Sequence, residues 1–271
     1  METLDIDGKT FEYECRGAGE PVILIHGSVV ADSFLPLMEQ HALNSHFRMV
    51  RYHRRGYIGS THSPPPVSIA DQAHDCVELM RQLGIDRAHL VGHSYGGVIA
   101  LMTALEEPAL VHTLSLLEPA LIGLVPSGAT LGAALAPAFM KYQSGDKLEA
   151  LDIFLGLVSG EGYRAELEQA IPEALSTAAA DASTLFDIEI PAIQEFWGTF
   201  SREKAMSIKQ PALVMTGTAS APPFHEVHQM VQTWLKAEPH HIAGGNHLFP
   251  ITQPRQGAEI LSDFLSRHPM M

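Results

Sequence analysis

One ten-residue stretch, Ala88–Gly97, constrains the fold of this chain more than any other part. It reads Ala-His-Leu-Val-Gly-His-Ser-Tyr-Gly-Gly, so that a short apolar run enters a glycine-flanked turn with Ser94 at its apex and a helical pattern follows. This order predicts a strand–turn–helix unit that holds a strained serine with its hydroxyl clear of a sheet. The pattern Gly-x-Ser-x-Gly is weak by itself, because it arises by accident in roughly one chain in ten of this length. The rest of the chain decides whether Ser94 is a nucleophile.

Apolar runs alternate with helical patterns on both sides of this stretch. An N-terminal hairpin is predicted around Asp7-Gly8, and buried strands are predicted at 21–25, 48–52, 88–91, 113–117 and 211–217. Helical patterns lie between them, for example at 68–83. Together these predict an α/β fold with a mostly parallel, doubly wound sheet.

The alternation stops after Pro119 and resumes at Pro211. Residues 121–205 contain no convincing strand and at least three helical patterns, at 147–158, 163–180 and 193–200. We therefore divide the chain into an α/β core, residues 1–120 and 206–271, and a helical insertion, residues 121–205. The insertion is expected to lie over the edge of the sheet as a lid.

Two further segments supply the groups that an activated serine needs. A serine hydroxyl is a poor nucleophile until a base takes its proton, and the base needs an acid to fix its tautomer. His247 lies in a glycine-rich loop after the last strand and offers that base. The amides of Tyr95, in the turn, and of Ser28, in the loop after Ile25, offer hydrogen-bond donors to an oxyanion.

Four motifs in this order and spacing resemble those of the α/β-hydrolases over nearly the full length of the chain. They are Ile25-His26-Gly27, the loop Arg55-Gly56-Tyr57-Ile58-Gly59-Ser60, the turn Gly92-His93-Ser94-Tyr95-Gly96-Gly97, and Gly245-Asn246-His247 before the last helix. The resemblance implies a serine hydrolase with Ser94 as nucleophile, His247 as base, and Ser28 and Tyr95 as oxyanion donors. It also implies that residues 121–205 form a cap that shapes the substrate pocket.

The acid departs from the family's pattern. Most members end the strand before the last helix pair with Gly-x-x-Asp, whereas this chain has Gly217-Thr218-Ala219-Ser220. We predict that Glu118 replaces it, because Glu118 ends the strand after the turn helix, on the edge where α/β sheets place their sites. A minority of α/β-hydrolases take the acid from this strand; the fungal zearalenone lactonases are one such group, and the chain is loosely similar to them around Glu118 and His247. The alternative acid is another nearby carboxylate, such as Glu226.

Six apolar residues of the insertion are candidates to line an acyl pocket: Phe154, Leu155, Leu157, Phe196, Trp197 and Phe200. Phe154 and Trp197 are the two that we assign to substrate binding. The alternative is that these side chains only hold the cap helices together.

Composition and motif spacing exclude several other classes. The formal charge of −14 argues against nucleic acid and anionic membranes as partners. Two cysteines, no apolar leader and no run of 18 apolar residues predict a cytoplasmic protein without a membrane span. No spacing typical of a metal site and no phosphate-binding glycine loop is found, so neither a metal nor another cofactor is expected.

The expected partner is therefore a small-molecule ester or lactone, hydrolysed through an acyl-enzyme; the oligomeric state stays open. Serine at position 94 argues against epoxide hydrolases and haloalkane dehalogenases, which attack through an aspartate there. Three alternatives remain: a carbon–carbon bond hydrolase or a perhydrolase on the same triad, and a catalytically weak binding protein on a hydrolase scaffold. The missing Gly-x-x-Asp acid is the only support for the last.

Overall fold

The computed structural model describes residues 1–270 and contains an eight-stranded sheet. In chain order the strands are β1 (Glu2–Ile6), β2 (Lys9–Arg16), β3 (Glu20–Ile25), β4 (Phe47–Tyr52), β5 (Ala88–His93), β6 (Val111–Leu117), β7 (Ala212–Gly217) and β8 (Glu238–Ile242). Their order across the sheet is β1-β2-β4-β3-β5-β6-β7-β8. The pairs β1–β2 and β2–β4 are antiparallel, and every other pair is parallel. The predicted mostly parallel α/β fold is confirmed.

Within residues 1–270, fourteen α-helices connect and cover the strands. They are α1 (Leu35–Met38), α2 (His41–Asn44), α3 (Ile69–Gln82), α4 (Tyr95–Glu106), α5 (Gly128–Ala134), α6 (Ala136–Gln143), α7 (Lys147–Ser159), α8 (Tyr163–Ala170), α9 (Ala174–Ala180), α10 (Ile190–Thr199), α11 (Arg202–Ser207), α12 (Pro222–Leu235), α13 (Phe249–Thr252) and α14 (Pro254–Ser266). A 3₁₀ turn spans Ile122–Leu124 and a π-helix spans Thr184–Glu189. No helix within residues 1–270 is both long and apolar enough to cross a membrane.

The central strands are buried on both faces, as their unbroken apolar runs predict. In β3, Val22 and Leu24 pack into a cluster with residues of α1 and α14, whereas Ile23 and Ile25 pack into a cluster with residues of α3 and α4. Helices therefore cover both faces of the sheet. A third apolar cluster lies largely within the segment between β6 and β7.

That segment, residues 118–211, is fully described and contains helices but no strand. The helix predicted at 163–180 is wrong in one respect, because the structure has two helices, α8 and α9, with a break between them. Pro172 disfavours helical backbone at Ile171, whose φ of −136° and ψ of 91° are extended. Helices α5 and α6 were not predicted, since their glycine- and alanine-rich sequence carries little apolar periodicity.

The carboxyl ends of the four central parallel strands meet along one edge of the sheet. The loop carrying Ser28 leaves β3 there, Ser94 follows β5, Glu118 follows β6, and Ser220 lies just beyond β7. The fold thus brings four sequence-distant segments to one place.

Candidate active site

Ser94 occupies a sharp turn between β5 and α4. Its φ of 52° and ψ of −117° lie in a region that non-glycine residues rarely adopt. The turn needs glycine two residues before and two residues after Ser94. A Cβ at Gly96 would collide with the carbonyl oxygen of Ile25, and a Cβ at Gly92 would collide with that of Gly96. The Ser94 amide donates to the carbonyl oxygen of Leu117 at 2.9 Å, which fixes the turn against β6.

Three of the predicted side chains form one hydrogen-bonded series. The Nε2 atom of His247 lies 3.1 Å from Ser94 Oγ, and its Nδ1 atom lies 2.6 Å from Glu118 Oε2. Glu118 is completely buried and His247 is 5% exposed. With Nδ1 donating to the carboxylate, Nε2 is left to accept the proton of the Ser94 hydroxyl.

The carboxylate of Glu118 is held by two further donors. Its Oε1 accepts from the Gly217 amide at 2.8 Å and from Ser220 Oγ at 2.5 Å, while Oε2 faces His247. Ser220 lies at the position where the family's pattern has an aspartate, and its hydroxyl contacts Glu118, the predicted acid. Sequence reasoning missed this contact, because it treated Ser220 only as a lost carboxylate.

Glu226, the alternative acid, lies elsewhere. Its Oε2 accepts a hydrogen bond from the Ser127 amide at 3.1 Å, at the start of α5. The structure therefore brings Glu118, and not Glu226, to His247.

The two predicted oxyanion donors lie at the same cavity as Ser94 and His247. Tyr95 is the first residue of α4, where a helix leaves its amide without an intrahelical acceptor. The Ser28 amide has no hydrogen-bond acceptor within residues 1–270. The next residue, Val29, has a φ of 72° and donates its amide to the Tyr57 hydroxyl at 3.2 Å, which fixes the loop. Both amides are thus free to bind an anion, and their role stays a prediction.

A buried arginine holds the backbone just before Ser28. Arg54 Nε donates to the carbonyl oxygen of His26 at 3.1 Å, and Nη2 donates to that of Gly27 at 2.9 Å. Its other contacts are Gln72 Oε1, 2.5 Å from Nη1, and Glu189 Oε1, 2.6 Å from Nη2. His26 Nε2 accepts from the Arg54 amide at 3.0 Å.

A cavity of about 140 Å³ opens over the hydroxyl of Ser94. Both residues assigned to substrate binding, Phe154 and Trp197, line it. The other four candidates do not: Leu155, Leu157, Phe196 and Phe200. The apolar lining is completed mainly by residues of α5, α6 and α10, and by Phe224, whose ring stacks on His247 at 4.3 Å between centroids. No sequence motif indicates Phe224, which follows the two prolines at the start of α12.

A sequence model of the alpha/beta hydrolase family matches residues 22–260. This chain belongs to the alpha/beta hydrolase family. The match spans both parts of the sheet and the helices inserted between β6 and β7, so the family assignment covers the whole site.

Several known hydrolases are similar to this one. The putative carbamate hydrolase RutD of Agrobacterium fabrum is 36% identical over 111 residues, which are 40% of this chain and 42% of that protein. The matched segment therefore spans less than half the length of such relatives. An enol-lactonase from Burkholderia xenovorans LB400 has a TM-score of 0.77 at 21% identity, over 98% of this hydrolase and 100% of that chain. Est816, an N-acyl homoserine lactone degrading enzyme, has a TM-score of 0.72 at 22% identity, and the alignment covers 97% of this hydrolase and 100% of that chain.

Three buried histidines of this hydrolase have lowered pKa values. Burial, and next the charge of Arg54, lowers the pKa of His26 well below its usual value. Burial, and next the charge of His247, does the same to the pKa of His93, whose Nε2 lies 2.9 Å from the carbonyl oxygen of His247. This contact ties His93 to the loop of His247. On α12, burial lowers the pKa of His228 to about 4.

Acid should destabilise this hydrolase through His228. Between pH 6.5 and 4 the unfolded chain binds a proton at this residue and the folded chain does not, so the free energy of unfolding falls as the pH falls. The slope from this residue is up to about 1.4 kcal/mol per pH unit. Urea unfolding at pH 7, 6 and 5 measures it.

The His228→Gln variant, whose amide can still bond Thr216, should show a shallower pH dependence than the wild type. The same substitution at the exposed His46 is the control and should leave the wild-type slope unchanged. Equal slopes for wild type and His228→Gln would contradict the prediction.

Proposed function

We propose that this hydrolase cleaves carboxylic esters or lactones through an acyl-enzyme on Ser94. The observation that carries the proposal is the buried hydrogen-bonded series Ser94–His247–Glu118, which opens on an apolar cavity. A hydroxyl beside an imidazole whose other nitrogen is tied to a carboxylate is the arrangement that activates serine. Two structural neighbours, the N-acyl homoserine lactone degrading enzyme Est816 and the enol-lactonase from Burkholderia xenovorans LB400, act on lactones, which agrees with this class.

The reaction would proceed in two halves. Ser94 Oγ attacks the carbonyl carbon while His247 Nε2 takes its proton, and the amides of Ser28 and Tyr95 donate to the oxyanion. The imidazolium, stabilised by Glu118, then protonates the departing alcohol oxygen. Water attacks the acyl-enzyme with the same base, and the free acid and Ser94 are released.

We further propose that residues 121–205 act as a cap over the core formed by residues 1–120 and 206–271. Support comes from the cavity, since the insertion supplies most of its lining while the core supplies Ser28, Ser94 and His247. In this arrangement Phe154 and Trp197 contact the acyl group. Trp197 is held in place because its Nε1 donates to the carbonyl oxygen of Ala120 at 2.8 Å.

Carbamate hydrolysis is a second candidate, supported by the 36% identical segment shared with RutD. A carbamate carbonyl would meet the same nucleophile, base and oxyanion donors. The two candidates differ only in the atoms that flank the carbonyl.

The test is a panel of substrates incubated with the purified protein. The panel contains p-nitrophenyl acetate and butyrate, γ- and δ-lactones, and an aryl carbamate, with Ser94→Ala protein as the control for contaminating activity. Hydrolysis of an ester or lactone that is absent from the control supports the proposal, and turnover of the carbamate alone supports the second candidate. A protein that binds these compounds but hydrolyses none of them would favour the binding-protein alternative.

A further inference from the structure

One carboxylate oxygen in the cavity has no partner. Glu189 ends the π-helix and lines the same cavity as Ser94 and His247, with its side chain 1% exposed. Its Oε1 accepts from Arg54 Nη2 at 2.6 Å, whereas Oε2 has no hydrogen bond within residues 1–270. A buried carboxylate oxygen without a hydrogen bond is costly and rare in folded proteins, so we expect this oxygen to accept a hydrogen bond from a bound molecule.

The charge of Glu189 is already balanced inside the protein. Burial acts to lower the pKa of Arg54, but the charge of Glu189 outweighs it, so Arg54 stays cationic. Burial and then the charge of Glu189 raise the pKa of Tyr57 well above its usual value, so the neighbouring phenol stays neutral. The pair Arg54–Glu189 thus has no net charge, and one of its acceptor sites is unused.

This balance determines the kind of donor that fits. An ammonium group on Oε2 would share the carboxylate with a guanidinium in a mainly apolar cavity, where like charges repel strongly. A neutral O–H or N–H group fills the acceptor without adding charge. Neutral donors are therefore the matching chemistry.

Hydrogen bonds through Arg54 link Glu189 to the backbone near Ser94. Arg54 Nη2, which binds Glu189, also donates to the carbonyl oxygen of Gly27 at 2.9 Å. Gly27 lies against the nucleophile, since a Cβ placed on it would be 3.0 Å from Ser94 Cβ. A single guanidinium nitrogen therefore bridges Glu189 and Gly27, so the carboxylate is two hydrogen bonds away from a residue that lies against Ser94.

We propose that Glu189 is a substrate-binding residue whose Oε2 accepts a hydrogen bond from a neutral hydroxyl or amide N–H close to the scissile carbonyl. The inference rests on the proposed ester or lactone hydrolysis and adds the class of acyl group: one that carries such a donor. A substrate lacking the donor would leave the Glu189 oxygen unpaired in the complex, which sites built to hydrogen-bond their substrate discriminate against.

The experiment compares matched γ-butyrolactones with the wild-type protein. One pair has an α-acetamido or an α-(N-methylacetamido) substituent, and the other has an α-hydroxy or an α-methoxy substituent, with rates corrected for alkaline hydrolysis. The member with the donor should have a kcat/KM about ten- to a hundredfold higher, as for hydrogen bonds to charged groups. Whichever pair shows the larger ratio identifies N–H or O–H as the natural donor, and α-amino-γ-butyrolactone should be a poor substrate at neutral pH.

The Glu189→Gln variant should lose or reverse this preference, because its amide can present N–H where Oε2 accepted. Glu195→Gln, an exposed position on α10 outside the cavity, should keep the wild-type ratios and serves as the matched control. Thermal unfolding checks that Glu189→Gln is folded, since it weakens the pair with Arg54. If it is not folded, the ratios of the wild type decide the question alone.

Binding of the same pairs to Ser94→Ala, measured by calorimetry, gives the preference without turnover. Loss of all hydrolysis with retained preference in binding would therefore count against the proposed function and in favour of the role of Glu189. Equal kcat/KM within both pairs, or binding to Ser94→Ala that is equal or undetectable for both members, would overturn the inference.

Discussion

The Ser94→Ala variant should hydrolyse ester substrates about 10⁴- to 10⁶-fold more slowly than the wild type. Alanine has no oxygen to attack the carbonyl, so the covalent route is lost while the cavity and the two oxyanion amides remain. The residual rate should come from water, assisted by transition-state stabilisation alone. Initial rates with p-nitrophenyl butyrate at several enzyme concentrations measure the effect.

The matched control is Ser115→Ala, the same substitution at a buried serine of β6 whose hydroxyl has no hydrogen-bond partner within residues 1–270. Its kcat should stay within about twofold of the wild type, because surface or unpaired positions outside the site carry little energy. Turnover by Ser94→Ala within tenfold of the wild type would show that another group attacks the carbonyl.

The Glu118→Gln variant should lose about 10³- to 10⁴-fold in kcat, as expected when the acid of such a series is replaced by its amide. An amide cannot stabilise the imidazolium that forms on His247, and its N–H₂ can hold the imidazole in the wrong tautomer. Glutamine keeps the volume of Glu118 and an acceptor for the Gly217 amide, so the fold should survive. Glu226→Gln, the matched control, should keep its kcat within about twofold.

A carboxylate introduced at position 220 tests whether the loss in Glu118→Gln comes from the missing acid. Its hydroxyl lies 2.5 Å from Glu118 Oε1, at the position where most of the family has its aspartate. Introducing Ser220→Asp into Glu118→Gln should therefore recover at least about tenfold of the lost kcat, because a carboxylate is again next to His247. Near-normal turnover in Glu118→Gln would remove Glu118 from the series, and a comparable loss in Glu226→Gln would implicate Glu226 instead.

Local patterns were sufficient to predict the sheet and the turn that holds Ser94. The apolar run before Ser94 and the glycines around it predict a strand and a turn that the backbone must adopt. Glu118 could be inferred because the ends of parallel strands share one edge of the sheet. These features depend on short stretches of chain and on one general rule of topology.

Contacts between distant segments could not be inferred in this way. Arg54 and Glu189 are 135 residues apart, and nothing in the spacing of either residue indicates that their side chains pair. The contact of Ser220 with Glu118 likewise depends on the packing of two strand ends. Glu189 also ends a π-helix, whose widened turn has no periodicity that distinguishes it from an ordinary helix.

The central claim is that His247 and Glu118 activate Ser94, and labelling with a fluorophosphonate tests it most directly. Intact-mass and peptide mass spectrometry should find one phosphonyl group per chain, on the peptide that carries Ser94, with fluoride as the leaving group. The labelling rate should fall at least about a hundredfold in His247→Ala and in Glu118→Gln, because the serine hydroxyl becomes a good nucleophile only with its base and acid in place. An unmodified Ser94 after prolonged incubation, or an unchanged labelling rate in His247→Ala, would contradict the account.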